Sequence, residues 1–156
     1  MTFLFAVAFT VSNLNAATYT VINSNDAGAG SLRQTIAEAA SGDTIIFAAD
    51  VNHIILTSGQ IAINKSLTID GGSDTSLKVT IDGNNNSMIF NISVSSTTVN
   101  INNLIFTRGN GRSGSETGTG GLHYGGAIEV SSSSLVATNC IFINNTTRSH
   151  GGAVFN

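Results

Sequence analysis

A chain of 156 residues is long enough to bury a core as one domain. With 41% hydrophobic and only 10% charged residues it does not have the composition of a disordered segment. A formal charge of -3 and six thinly spread basic residues exclude the basic stripe that nucleic acid requires, and one cysteine, Cys140, excludes internal disulfides and multi-cysteine zinc sites.

Residues 3 to 11 form an apolar run too short for a membrane-spanning helix, which needs about 20 residues. Asn15-Ala16-Ala17 follows with the small residues of a signal-peptide exit, so residues 1–17 are expected to be a signal peptide, cut after Ala16 or Ala17. The departure is the absent basic n-region, since the first basic side chain is Arg33. Thr18 to Asn23 predicts a short strand and Asn25 to Gly30 a turn-rich loop. Ser31-Leu32-Arg33-Gln34 fits a capping box and starts a helix with Leu32, Ile36 and Ala39 or Ala40 on one face. Gly42 is the expected residue at C′. Residues 18–43 thus form an N-terminal cap.

From Thr44 the period changes to that of strands: Thr44 to Phe47, Ile54 to Thr57, Ile61 to Ile63, Leu67 to Asp70, Val79 to Asp82. No helices alternate with them, which leaves a sandwich, a barrel or a solenoid. Self-similarity favours the solenoid. Asn91 to Phe106 aligns without a gap on Ala127 to Phe142 at an offset of 36, matching Ile92, Val94, Asn103, Ile105 and Phe106 to Ile128, Val130, Asn139, Ile141 and Phe142. Gly125-Gly126-Ala127-Ile128 returns as Gly151-Gly152-Ala153-Val154 after 26 residues. Coils of about 26 residues are expected, with an insertion in the loop from Arg108 to Tyr124. The echo of Leu67 to Gly71 in Val79 to Gly83 marks successive sides of one coil.

The fold class is therefore expected to be all-β, a right-handed parallel β-helix (solenoid) with one short N-terminal capping helix, its coils running over 44–156 and truncated at the C-terminus. Asn103 and Asn139 share a repeat position where stacked amides form an asparagine ladder. Cys140 takes the place of Leu104 and is expected to be a small buried apolar residue. The capping helix should cover the first coil, and the last coil should meet the remainder of a longer chain or pair through its edge.

The Gly-Gly-Ala-(Ile/Val) repeats, Gly125 to Ile128 and Gly151 to Val154, with Phe142-Ile143-Asn144-Asn145 between them, resemble those of the polymorphic outer membrane proteins. Asn25 to Ile36, Asp43 to Phe47 and Leu67 to Gly71 look like the N-terminal capping region of large bacterial surface β-helix proteins. The resemblance implies a non-catalytic passenger domain of autotransporter-adhesin type. It would be secreted or held at the cell surface, the outer membrane included, and serve in adhesion to a host surface or polysaccharide. No nucleic-acid partner and no cofactor are implied, and no transmembrane anchor is expected within this fragment. Phe106-Thr107-Arg108-Gly109 fills the Phe-x-x-Asn slot imperfectly.

The alternative is a polysaccharide lyase or hydrolase β-helix whose active site lies mostly beyond these residues. A hydrolase needs two facing carboxylates. Asp70 and Asp82 are the best candidates, but each sits in Ile-Asp-Gly, where a turn is the plainer reading. For a lyase, Arg108, Arg112, His123 and Tyr124 form the candidate ligand-facing loop, yet that loop offers only Glu116 to a calcium ion. His53, His123 and His150 show no metal spacing, and no catalytic or metal residue is assigned.

Overall fold

Short β-branched runs separated by Gly, Asn and Ser become strands because the branched side chains suit a pleat and the separators suit corners. In a computed structural model, residues 15–72, 78–111, 125–147 and 151–156 are described. The strands are β1 (Thr18–Val21), β2 (Thr44–Phe47), β3 (His53–Ile55), β4 (Ile61–Ile63), β5 (Leu67–Asp70), β6 (Val79–Asp82), β7 (Phe90–Ile92), β8 (Thr98–Asn102), β9 (Leu104–Thr107), β10 (Ile128–Val130), β11 (Ser134–Thr138), β12 (Ile141–Ile143) and β13 (Val154–Phe155). One helix, α1 (Leu32–Glu38), lies between β1 and β2.

The protein is mostly β, and its three sheets are parallel throughout. Their orders are β1-β2-β5-β8-β11, β12-β9-β6-β3 and β13-β10-β7-β4. From β2 onward the chain visits the three sheets in rotation, so each strand pairs with the strand three places later. Leu67 to Gly71 and Val79 to Gly83 accordingly open neighbouring sides, β5 in the first sheet and β6 in the second.

Inward residues stack on inward residues. Val99 lies between Leu67 and Leu135, and Ile101 between Ile69 and Ala137. On the second sheet Ile54, Ile81, Phe106 and Phe142 form one column, and on the third Ile61, Phe90, Ile128 and Val154 form another. With parallel strands about 4.8 Å apart, each aliphatic row touches the next, and the core is this stack. The last coil is more open. Val99, Ile101, Leu104, Phe106 and Ile128 are all 0% exposed, whereas Leu135, Cys140, Phe142 and Val154 are half-buried and Ala137 is exposed. Cys140 is thus not the fully buried residue expected, because no described strand lies beyond β11 and β12.

The register differs from the sequence alignment at one corner. β8 pairs with β11 and β9 with β12 at an offset of 36, but β7 pairs with β10 at 38, placing Phe90 opposite Ile128 and Ile92 opposite Val130. The expected match of Ile92 to Ile128 and of Val94 to Val130 is therefore displaced by two residues. Val94 is 41% exposed and Val130 1%. The reason is corner length: Ser93 to Thr97 separates β7 from β8, but only Ser131 to Ser133 separates β10 from β11. A shift of two leaves inward residues inward, so alternation survives. Coil length also varies more than a uniform 26 implies, being 24 residues from Thr44 to Thr68 and 32 from Leu67 to Val99.

The helix closes the other end of the stack. Ser31 Oγ accepts from Gln34 N at 3.2 Å, the first half of a capping box, but Gln34 Nε2 turns to Glu38 Oε1 at 2.8 Å instead of reaching back. Leu32, Ile36 and Ala39 are buried and Ala40 is exposed. The helix ends at Glu38 with an extended C-cap, Ala39. Gly42 is thus not the C′ residue; it turns the chain toward β2 at φ +97. Lys65 makes the glycine cap unnecessary: its Nζ donates to the carbonyls of Ile36, Ala37 and Ala39 at 3.2, 3.1 and 2.7 Å. A cation on the last carbonyls also opposes the negative end of the helix.

Candidate functional site

The repeat motifs meet at the corners. Asn103 and Asn139 have φ of 59° and 52°, a left-handed conformation that asparagine tolerates better than most residues. Asn139 Nδ2 donates to Asn103 Oδ1 at 2.7 Å, and Asn103 Nδ2 donates to Asp70 Oδ1 at 2.8 Å. The asparagine ladder thus begins on an aspartate one coil earlier. Phe142 stacks on Phe106 with ring centroids 5.1 Å apart. Asn145 then reaches back one coil, donating to Phe106 O at 2.9 Å and accepting from Gly109 N at 2.8 Å. That is the work of a Phe-x-x-Asn sequence in a stack: ring inside, amide stapling the corner. In the coil before, Gly109 has no side-chain amide, and the backward contacts come from Arg108 and Asn110, whose Nδ2 donates to Asn85 O at 2.8 Å. The Gly-Gly-Ala segments lie over each other, with Gly126 N donating to Gly151 O at 3.1 Å and Ala127 N to Ala153 O at 2.8 Å.

A cluster of charged side chains lies at the end of the second sheet. Asp82 closes β6 and is 1% exposed. Arg108, just after β9, has φ 51, and its guanidinium lies across the carboxylate. Nε is 2.9 Å from each oxygen and Nη2 also donates to Oδ2. His53 Nε2 lies 3.1 Å from Oδ2, and Asn84 N donates to Oδ1 at 2.8 Å. Burial pushes the Asp82 carboxyl up, but the hydrogen bonds from Arg108, Asn84 and His53 outweigh it and hold it below the usual carboxylate range. The same contact raises Arg108. A carboxylate with both oxygens engaged is a poor general base, because it has little lone-pair capacity left for a substrate proton. Arg108 and His53 keep 41% and 46% of their side chains exposed, so the cluster presents cationic and imidazole edges outward over a neutralised anion.

Compared with models of known protein families, with curated proteins and with solved structures, the chain matches none.

Of the loop residues expected to face a ligand, Arg108 is described; Arg112, His123 and Tyr124, like the signal segment up to residue 14 and His150, lie outside the described residues. Asp70 and Asp82 end strands of different sheets, and each carboxylate is bonded within the protein, to Asn103 and to Arg108. Among the described residues no group of three or more His, Cys, Asp or Glu side chains could hold a metal, and no helix is long and apolar enough to cross a membrane. The Asp82–Arg108 pair escapes a motif search, but its separation of 26 equals the spacing of the Gly-Gly-Ala segments.

A second ion pair fastens the cap. Arg33 Nη2 donates to Asp26 Oδ1 at 2.9 Å and to Gly59 O at 2.6 Å, and Nη1 donates to Gln60 O at 2.8 Å. Asp26 Oδ2 also accepts from Ser58 N at 2.9 Å and from Ser58 Oγ. Burial pushes the Asp26 carboxyl up, yet the bonds from Arg33 and Ser58 bring it down to about 2. A lowered folded pKa stabilises above the ordinary value near 4 and ceases to do so as pH falls through about 2. The wild type should therefore exceed Asp26→Asn by about 1 kcal/mol at pH 6, after allowance for solvent screening. The gap should close between pH 4 and pH 2 in thermal melts; a gap independent of pH would refute the assignment.

Proposed function

We propose that the chain is a secreted or cell-surface passenger domain, a right-handed parallel β-helix that presents its outer surface to an extracellular ligand, a host surface or a polysaccharide, without catalysing a reaction. The observation that carries this reading is that three carboxylates at strand ends and in the cap bond to the protein itself: Asp82 to Arg108 and His53, Asp70 to Asn103, Asp26 to Arg33 and Ser58. A glycosidase or lyase needs a carboxylate or base held free for substrate. A recognition surface needs only fixed, partly exposed groups on a rigid frame, and the rotation of the chain through three parallel sheets supplies that frame. Right-handedness follows from the strong preference of parallel crossovers for that hand. The likeness of the Gly-Gly-Ala and Phe-x-x-Asn segments to surface passenger repeats agrees with it.

The test incubates the chain with immobilised acidic polysaccharides and with fixed host cells, reading bound protein and, in parallel, the absorbance of unsaturated sugar products. Saturable binding without product is expected. Arg108→Gln should reduce binding several-fold while leaving the far-ultraviolet circular dichroism unchanged. Steady formation of unsaturated product would replace this reading with the lyase.

A further inference from the structure

The region around Ala17 and Asp43 bears on where a signal segment would be removed, and the inference rests on the secretion reading above. Asn15, Ala16 and Ala17 are exposed and lie outside any strand or helix. Among the described residues Ala17 is the first with a hydrogen bond to the fold: its N–H donates to Asp43 Oδ1 at 2.8 Å, and its carbonyl accepts from Thr44 N at 2.8 Å. Asp43 is 4% exposed, and its other oxygen accepts from Ala40 N at 2.7 Å, just beyond the helix. One carboxylate therefore joins the start of the chain to the end of α1.

We propose that export cuts the chain between Ala16 and Ala17, and that the new Ala17 ammonium takes the place of the amide on Asp43. A cut one residue later would remove both bonds made by Ala17 and leave Asp43 Oδ1 buried without its donor, a costly state for a carboxylate. A cut after Ala16 keeps both bonds and replaces a neutral amide donor by a charged one, so that the hydrogen bond to the carboxylate becomes an ion pair as well. Water adds across the Ala16–Ala17 peptide bond: the hydroxyl goes to the Ala16 carboxyl and the proton to the Ala17 amine, so no further reactant is needed. Processing would then tighten the N-terminal cap, because the ammonium draws Asp43 and the end of α1 against the first coil.

The full chain, expressed in an exporting bacterial host, would be recovered outside the cytoplasm and its N-terminus sequenced. Ala17 as the first residue is the expected result. A processed product starting at Thr18 overturns the assignment alone, whereas a product retaining Met1 also overturns the secretion reading. A second measurement compares chains beginning with free Ala17, with N-acetylated Ala17 and with Thr18. The free amine should melt roughly 2–4 °C above the acetylated form, with the Thr18 form lowest, and the first gap should shrink in high salt. Equal melting of the free and acetylated forms would refute the ammonium contact.

Discussion

Phe106→Ala is expected to destabilise the protein by about 3–5 kcal/mol, the range for removing a fully enclosed aromatic ring. Phe106 is 0% exposed and sits in the middle of a column, edge to face with Phe90 at 5.6 Å and stacked on Phe142 at 5.1 Å. The cavity cannot close readily. The strands above and below are held by the parallel ladders β6–β9 and β9–β12, and Asn145 fastens Phe106 O to the next coil. Phe142→Ala is the internal comparison. That ring occupies the same column one coil later but is only half-buried, so its loss should cost about 1–2 kcal/mol, as partial burial gives a partial transfer term. Denaturant unfolding of both variants checks the pair. Equal losses would mean that stacking along the column does not set the energy.

Much of this architecture was legible because the stacking of parallel strands writes its repeat into the sequence. β2, β4, β5 and β6 begin and end where their β-branched runs do, since a strand of three or four residues is fully specified by its own side chains and the polar residues that stop it. The 26-residue spacing of the Gly-Gly-Ala segments is also the spacing of the β10–β13 pairing. The register of β7 on β10 was hidden for an equally physical reason. Apart from Val94, Ser93 to Thr97 is as small and polar as Ser131 to Ser133, so nothing local marks two extra residues, and Val94 matched Val130 by type although one faces solvent. The contacts of Arg33 with Gly59 and Gln60, those of Lys65 with the helix end, and the Asp82–Arg108 pair lay beyond local pattern altogether. Their partners sit one coil away, at separations of 26 to 29 residues, which becomes a neighbour distance only once the winding is known.

The same winding predicts which glycines can be replaced. Gly126→Ala should be among the most damaging single-methyl changes in the chain, costing about 3 kcal/mol or more, at the upper end of overpacking penalties. Gly126 does not have a positive φ, so alanine suffers no intrinsic backbone strain there. The difficulty is contact: an added Cβ would lie 2.1 Å from Gly152 O and 2.8 Å from Thr146 N and O. All three are backbone atoms, and Thr146 N is itself bonded to Gly109 O at 2.8 Å, so none can swing aside as a side-chain tip would. Gly152 holds the equivalent position 26 residues later, yet a Cβ there meets nothing within 4 Å. Gly152→Ala should therefore change stability by no more than about 0.5 kcal/mol. Thermal melts of the two variants separate two explanations of the Gly-Gly-Ala repeat. If both alanines are harmful, the glycines serve the local turn; if only Gly126→Ala is, the second glycine of the motif exists to let one coil's backbone rest directly on the next.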